Sequence, residues 1–176
     1  YTNANLVDAI FEAVSGITTT GSTVFSELDK MPKGLLLWRG ILQWLGGIGI
    51  IVVAMVFLPE LRVGGMQIFR AEGFDTLGKI LPRATTIAFQ ISIIYVGITI
   101  ACGLAYVLAG MSFFDAVVHS FTTVATGGFS NYDGSFSVFS WQVEYVAILF
   151  MILSALPFVR YVQLINGQAT AVFKDP

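Results

Sequence analysis

The sequence contains little charge, few prolines and a single cysteine. Only 11% of its residues are charged, whereas soluble domains contain about a quarter. This low fraction argues against an ordinary cytosolic enzyme, and the 56% of hydrophobic residues exclude a disordered chain. Cys102, the one cysteine, excludes an internal disulfide and a cysteine-rich metal site. With 9 basic and 11 acidic residues, the net charge of -2 indicates no nucleic-acid partner.

Glycine, in contrast, is abundant, with 18 residues against 5 prolines. Many of the glycines lie inside long apolar runs, where small residues allow membrane helices to pack closely. A bilayer core of about 30 Å requires roughly 20 apolar residues in a helix. Three segments satisfy this requirement, and we predict membrane spans over about residues 35–58, 84–109 and 141–161.

Basic residues favour one orientation of these spans. Most of them lie between the first two spans or near the C-terminal end: Arg62, Arg70, Lys79, Arg83, Arg160 and Lys174. The positive-inside rule places these segments in the cytoplasm, so that residues 1–33 and 111–140 face outward. Lys30 and Lys33 oppose this orientation. Arg39, at the start of the first span, is expected to anchor at the membrane interface, the alternative being a place on the permeation path.

The two outward segments resemble each other. Residues 5–26 read NLVDAIFEAVSGITTTGSTVFS, and residues 112–133 read SFFDAVVHSFTTVATGGFSNYD. Each begins with a capping residue and an acid three residues later, Asn5 with Asp8 and Ser112 with Asp115. About ten helix-compatible residues follow, which extend about 15 Å, or half a bilayer. Each segment is therefore predicted to be a re-entrant half-helix that ends in a Thr/Gly sequence.

We call these Thr/Gly sequences loop 1 (residues 18–22) and loop 2 (residues 125–129). Non-helical backbone is tolerated at membrane depth only where it lines a wet cavity or packs on protein. Glycine permits backbone angles that turn carbonyl oxygens toward an axis, and the C-terminal end of a half-helix favours a cation. The loops are therefore interpreted as pore loops. The competing interpretation is that they are ordinary turns between helices.

At these residues the chain resembles the Trk/Ktr/HKT superfamily of potassium transporters, and most closely its bacterial TrkH branch. Four segments carry the resemblance: SGITTTGSTV (15–24), LQWLGGIGIIVVA (42–54), TTVATGGFSN (122–131) and SALPFVRYV (154–162). The resemblance implies an all-α polytopic membrane protein of potassium-channel-like architecture, in which four helix–pore loop–helix units surround one pore.

On this resemblance the chain divides into four parts. Residues 1–59 are the pore loop and second helix of the first unit, and residues 60–83 are a cytoplasmic linker. Residues 84–162 are the complete second unit, and residues 163–176 are a cytoplasmic tail that leads to further units. The linker is interpreted either as an amphipathic contact for a regulatory subunit or as a solvated connection.

The resemblance also implies a selectivity filter in which backbone carbonyls bind potassium. The predicted ligands are Thr19, Thr20, Gly21, Ala125, Thr126 and Gly127. In loop 2 we favour Gly127 as the filter glycine, because Thr126-Gly127 then matches Thr20-Gly21; the second half-helix is then one residue shorter. An ungapped alignment of the repeats instead pairs Gly21 with Gly128. Neither loop reads TVGYG, which leaves passage of sodium or rubidium open.

The implied function is potassium uptake across the bacterial inner membrane, with potassium as the bound ion, symport as the transport mode and no enzymatic activity. The implied partners are membrane lipid, a second copy in a homodimer of the full-length protein, and a cytoplasmic nucleotide-binding regulatory subunit. The alternative is a secondary transporter or another solute channel with re-entrant loops, which often contains inverted repeats. The two spans between the loops predict parallel repeats here.

Three glycines of the first span, Gly46, Gly47 and Gly49, are interpreted as small residues that allow close approach to a pore helix, rather than as a hinge. Cys102 is interpreted as a small apolar packing residue. Both predictions concern packing and assign no chemistry.

Polar residues of the half-helices have competing interpretations. Asp8 and Asp115 are expected mainly to cap their helices, the alternative being attraction of cations. His119 lies four residues after Asp115, but a catalytic dyad is disfavoured because the sequence has no second histidine and no nucleophile motif. Glu12 occupies the position of His119 in the first repeat, and both are interpreted as polar residues behind the filter or at its vestibule.

Overall fold

The computed structural model describes the backbone of residues 5–57 and 77–165, and side chains within residues 5–49 and 86–165 apart from 87, 159 and 163. The described chain is helical and contains no strand, as predicted. Its α-helices are α1 (Leu6–Ile17), α2 (Lys33–Phe57), α3 (Leu77–Leu108), α4 (Phe113–Val124), α5 (Trp141–Ala155) and α6 (Phe158–Ile165). Two short 3-10 helices cover Leu28–Lys30 and Ser135–Val138.

The helices divide between two compact units. One unit comprises Tyr1–Ile48 and Tyr95–Pro157, and the other comprises Gly49–Ile94 and Phe158–Pro176. Two of the boundaries fall inside α2 and α3, and the third falls between α5 and α6. Both half-helices and both loops lie in the first unit.

The first two predicted spans are continuous helices. Helix α2 has 25 residues, and α3 has 32 residues and begins at Leu77, before the predicted start of its span. Within α3, the 21 residues Ala88–Leu108 are long and apolar enough to cross a membrane. Much of the predicted cytoplasmic linker and tail, with Arg62, Arg70 and Lys174, lies outside the described residues.

The prediction of one continuous third span is wrong. Helix α5 ends at Ala155 after 15 residues, which is about 22 Å, and α6 begins at Phe158. Leu156 is extended, with φ -71° and ψ 144°. The cause is Pro157, because proline lacks the N–H that a helix needs and disfavours the helical conformation of the residue before it.

The half-helices begin where the capping signals predicted. In α1, the Asp8 N–H donates to Asn5 Oδ1 and the Asn5 N–H donates to Asp8 Oδ2, both at 3.0 Å. In α4, the Asp115 N–H donates to Ser112 Oγ at 3.2 Å. Each cap satisfies a backbone donor that the first helical turn leaves free. Each half-helix then has 12 residues, about 18 Å, which is too short to span a bilayer.

Helix α4 lies in the core of the first unit. Trp44 of α2 contacts Tyr95 of α3 and Phe121 of α4, with ring centroids 5.6 and 5.5 Å apart. The Tyr106 and Thr123 hydroxyls are hydrogen-bonded at 2.6 Å. Cys102 is fully buried, as a packing residue should be. These contacts hold the C-terminal end of α4, and with it loop 2, against α2 and α3.

Candidate functional site: two pore loops on a shared scaffold

The two loops have the same backbone conformation. Thr19 and Thr126 have φ values of 55° and 54°, and Gly21 and Gly128 have φ values of 78° and 79°. Because α1 and α4 both have 12 residues, the expectation that α4 is one residue shorter is wrong. The repeats align without a gap, and the structural counterpart of Gly21 is Gly128. The similarity of Thr20-Gly21 to Thr126-Gly127 had favoured an alignment of Gly21 with Gly127. The left-handed conformation, which glycine adopts readily, instead occurs at Gly128.

The hydrogen bonds of the loops repeat in the same way. The Thr20 N–H donates to the Ser15 carbonyl at 3.0 Å, and the Gly127 N–H donates to the Thr122 carbonyl at 2.9 Å. The next N–H in each loop, that of Gly21 or Gly128, lies 3.5 or 3.3 Å from the same acceptor. Each loop thus closes the last turn of its half-helix with equivalent bonds.

A threonine in each loop has the left-handed conformation, which is uncommon for a β-branched residue. Thr19 donates its N–H to the Gly16 carbonyl, and Thr126 donates its N–H to the Thr123 carbonyl, both at 3.0 Å. Such backbone strain costs on the order of 1–3 kcal/mol and persists where the surrounding structure imposes it. The same strained conformation thus occurs at equivalent positions of both loops.

Loops 1 and 2 are in direct backbone contact. A Cβ atom at Gly21 would overlap the carbonyl oxygen of Gly127. The structure thus brings together two of the predicted filter glycines, one from each repeat. The predicted ligands of the two loops differ in exposure. Ala125 and Gly127 are buried, Thr19 and Gly21 are half-buried, and Thr20, Thr126 and Gly128 are exposed.

Sequence reasoning missed Gln43, a fully buried residue of α2. Its Oε1 accepts a hydrogen bond of 3.0 Å from the Phe129 N–H. A Cβ atom at Gly127 would lie 2.5 Å from Gln43 Cδ, so the amide packs directly on the loop backbone. The sequence contained one signal for this role, a glutamine inside an apolar helix. Polar residues within membrane helices are rarely without a role.

The prediction that Arg39 anchors at the membrane interface is wrong, because the residue is only 2% exposed. Its Nε forms an ion pair of 2.8 Å with Glu12 Oε1, and its Nη1 donates to the Ser130 carbonyl at 3.1 Å. The guanidinium also lies 4.2 Å from the centre of the Phe129 ring. Burial of this charge is possible because Glu12 neutralises it. Arg39 therefore connects α2 with α1 and with the segment after loop 2.

Glu12 extends this network to the segment after loop 1. Its carboxylate accepts hydrogen bonds from the Thr23 hydroxyl at 2.8 and 3.0 Å and from the Val24 N–H at 3.1 Å. The Arg39 Nη2 donates to Thr23 Oγ1 at 3.3 Å. One buried ion pair thus fixes the chain after both loops.

His119 takes the place of Glu12 in the second repeat. Its Nδ1 lies 2.8 Å from the Asp115 carbonyl oxygen, and its Nε2 lies 3.1 Å from Ser130 Oγ. Phe136 and Phe139 contact the ring edge-on, with centroids 5.4 and 5.3 Å away. The His119 ring therefore contacts the Asp115 backbone carbonyl, and these contacts do not form a catalytic dyad with the Asp115 carboxylate.

The Asp115 carboxylate orders the segment after loop 2. It accepts hydrogen bonds from Ser112 Oγ at 2.7 Å, Asn131 Nδ2 at 2.8 Å and the Tyr132 hydroxyl at 3.0 Å. Burial opposes ionisation of this carboxyl, but the three hydrogen bonds lower its pKa below the ordinary value. Capping is thus the role of Asp8 and only part of the role of Asp115.

A second residue that the sequence did not indicate, Asp133, connects the segments that follow the two loops. Its Oδ2 accepts from the Glu27 N–H at 2.8 Å, and its Oδ1 accepts from the Leu28 N–H at 3.1 Å. Glu27 itself has a left-handed backbone conformation, with φ 58°. The carboxylate satisfies the free backbone donors where the 3-10 helix Leu28–Lys30 begins.

Two glycines of α2 allow the close approach that was predicted. A Cβ atom at Gly46 would overlap the Ile17 carbonyl, and one at Gly47 would lie 2.6 Å from the Tyr95 hydroxyl and 3.1 Å from Ala125 Cα. At Gly49, no described atom lies within 4 Å of the Cβ position. The bases of both loops therefore rest on α2.

Comparison with known proteins identifies the family. The family model for the cation transport protein TrkH matches residues 2–171. The chain belongs to the TrkH family. The Trk system potassium uptake protein TrkI of Halomonas elongata is 48% identical over 173 residues, which are 97% of this chain and 35% of that protein. Trk system potassium uptake protein TrkH of Escherichia coli K12 is 43% identical over 99% of this chain and 37% of its own length.

The fold is that of a solved TrkH family member. The crystal structure of the potassium transporter TrkH from Vibrio parahaemolyticus superposes with a TM-score of 0.81 at 40% identity. The superposition covers 99% of this chain and 35% of that one. The chain is therefore an all-α membrane protein with pore-loop architecture, and it spans about a third of the length of its relatives.

Proposed function

We propose that this chain forms part of a potassium-uptake pore in which the backbone carbonyls of loops 1 and 2 replace the hydration shell of the ion. The observation that carries the proposal is the backbone contact between Gly21 and Gly127, made by two loops of equal conformation. The relatives named as Trk system potassium uptake proteins support potassium as the transported ion. The mechanism involves no covalent chemistry and no enzymatic step.

Each loop contributes its own carbonyl groups. The proposed ligands are Thr19, Thr20 and Gly21 in loop 1, and Ala125, Thr126 and Gly127 in loop 2. Gly128 joins this set, because its conformation is that of Gly21. The C-terminal ends of α1 and α4 precede these ligands, so that both helix dipoles favour a cation.

The remaining units of the pore are supplied by the full-length protein. Helix α1 exposes an apolar face that the described chain leaves uncovered: Leu6, Val7, Ile10, Phe11, Val14 and Ile17. Further helices around a shared pore would bury this face. We accordingly retain the division into a first-unit part (1–59), a linker (60–83), a second unit (84–162) and a tail (163–176).

At the level of the whole protein, we propose symport of potassium across the bacterial inner membrane. The proposed assembly is a homodimer in membrane lipid with a cytoplasmic nucleotide-binding regulatory subunit. The membership in a family of cation transport proteins supports the transport part of this proposal. Symport, the membrane and the assembly are what the resemblance to the Trk/Ktr/HKT superfamily implies. A secondary transporter with inverted repeats has less support, because two predicted spans, in α2 and α3, separate the loops and would place both on the same side of the membrane.

Rubidium uptake by the full-length protein tests this function. Cells that lack their own potassium-uptake systems would express wild type, Gly21→Ala or the control Gly34→Ala, whose Cβ position is free of atoms within 4 Å. We expect potassium-sensitive uptake by wild type and the control, and altered uptake by Gly21→Ala. Absence of uptake by wild type, or wild-type uptake and selectivity in Gly21→Ala, would refute the proposal.

A further inference from the structure

We propose that Gln43 is a positioning residue that sets the spacing between loops 1 and 2 and thereby the ion selectivity of the pore. This inference rests on the proposed function, and it assigns a role to a side chain of α2 that binds no ion itself. Its basis is the position of a buried amide against the backbone of both loops.

The amide oxygen of Gln43 fixes loop 2. Oε1 accepts the Phe129 N–H at 3.0 Å, directly after Gly128. Since a backbone N–H only donates, this bond determines which end of the amide faces Phe129. The Nε2 atom is therefore the end that is left for other contacts.

The amide nitrogen lies at the junction of the loops. The Cβ position of Gly127 is 2.7 Å from Nε2, and the Cβ position of Gly21 is 3.6 Å from the same atom. The Gly127 carbonyl in turn occupies the Cβ position of Gly21. Gln43, Gly127 and Gly21 thus form a continuous stack from α2 to loop 1, in which the bond from the Phe129 N–H fixes loop 2 on the amide.

The Nε2 atom is buried without a hydrogen-bond partner among the described residues. Buried polar groups are almost always paired, because an unmade hydrogen bond opposes folding. An apolar side chain of similar size would avoid this cost while filling the same space. The same apolar side chain would, however, leave the buried Phe129 N–H without its acceptor. The amide at this position is therefore explained by its bond to loop 2, which it makes although Nε2 has no partner among the described residues.

Two substitutions separate the contributions of the amide. Gln43→Leu removes both polar ends, whereas Gln43→Glu keeps the shape and an acceptor for the Phe129 N–H but replaces the Nε2 donor. Gln142→Leu is the matched control, since it makes the same chemical change at an exposed residue of α5. All variants are made in the full-length protein and compared at equal amounts in the membrane.

The measurement is rubidium uptake under competition by potassium or sodium, expressed as the ratio of the two half-inhibiting concentrations. We expect this potassium preference to fall by about threefold to tenfold in Gln43→Leu, which loses the bond from the Phe129 N–H, the factor that corresponds to one net hydrogen bond. The fall should be smaller in Gln43→Glu, which keeps that acceptor. The control should keep the wild-type ratio. A fall in the ratio at either variant, with uptake retained, supports the inference.

Other outcomes overturn it. A wild-type ratio in both Gln43 variants shows that the amide does not set selectivity, while uptake by wild type keeps the proposed function intact. Loss of both variants from the membrane shows that Gln43 serves folding. Absence of uptake by wild type refutes the proposed function, and the inference falls with it.

Discussion

Gly21 and Gly128 adopt the same left-handed backbone conformation, with φ values of 78° and 79°, in two loops that follow half-helices of equal length. The residue before each differs, since Thr20 precedes Gly21 and Gly127 precedes Gly128. Gly21 and Gly128 therefore correspond in backbone geometry, although the residues before them differ. It supports a pore in which both repeats present their carbonyl groups in the same way.

Gly21→Ala should damage the pore more than Gly34→Ala. The left-handed conformation costs a non-glycine residue roughly 1–2 kcal/mol, and the new Cβ would also overlap the Gly127 carbonyl. We expect reduced thermal stability of the purified full-length protein together with altered rubidium uptake. Gly34→Ala, in an unobstructed helical position, should change neither property.

The two glycines of loop 2 should respond differently to alanine. Gly128 has a left-handed φ but open space at its Cβ position, whereas a Cβ at Gly127 would lie 2.5 Å from Gln43 Cδ. Gln43→Ala should therefore relieve part of the destabilisation caused by Gly127→Ala and none of that caused by Gly128→Ala. Thermal unfolding of the single and double variants measures this coupling. If the effect of Gln43→Ala on stability simply adds to that of Gly127→Ala, as it should for Gly128→Ala, the contact between Gln43 and Gly127 is contradicted.

Glu12→Gln and Arg39→Met should each destabilise the protein strongly. Removal of one partner leaves the other charge buried and unpaired, which typically costs about 3–5 kcal/mol. The double variant should be more stable than the sum of the single effects predicts, because no unpaired charge remains. Denaturation of the detergent-solubilised protein gives these values.

A second ion pair provides the control for this experiment. Lys30 and Glu27 lie 2.8 Å apart with side chains 74% and 68% exposed. Lys30→Ala should not measurably change stability, since exposed pairs contribute little. A comparable loss at both pairs would show that the burial of Glu12 and Arg39 is unimportant.

Asp115→Asn should destabilise the protein more than Asp8→Asn. Asp115 accepts three side-chain hydrogen bonds, whereas the carboxylate of Asp8 accepts a single one from the described residues, that of the Asn5 N–H. Because folding lowers the pKa of Asp115, its contribution is complete above the ordinary carboxyl pKa of about 3.9 and is lost as the pH falls through the folded-state pKa. Stability of wild type and Asp115→Asn, measured against pH, should therefore converge in acid. A constant difference would contradict this role.

Much of the local structure could be predicted from the sequence, because its causes are local. Asn5 with Asp8 and Ser112 with Asp115 mark the starts of the half-helices, and the Thr/Gly sequences mark their ends. The helix break at Pro157 could also have been predicted from the sequence, since proline cannot continue a helix. It was missed because the hydrophobic run continues across it.

The packing behind the loops could not be predicted, because its partners are distant in sequence. Arg39 looks like an interface anchor until the fold brings Glu12, 27 residues earlier, to within 2.8 Å. The contact between Gln43 and Phe129 joins residues 86 apart. The equivalence of Gly21 and Gly128 likewise depends on backbone angles that the Thr-Gly similarity concealed.

The central claim is that the loop carbonyls bind the transported ion. Its most direct test is anomalous X-ray scattering from crystals of the full-length protein soaked in thallium, a heavy substitute for potassium. We predict an anomalous peak within coordination distance of the backbone oxygens of Gly21 and of loop 2, and its loss when excess potassium is added. Thallium bound elsewhere, with both loops empty in a protein that takes up rubidium, would contradict the account.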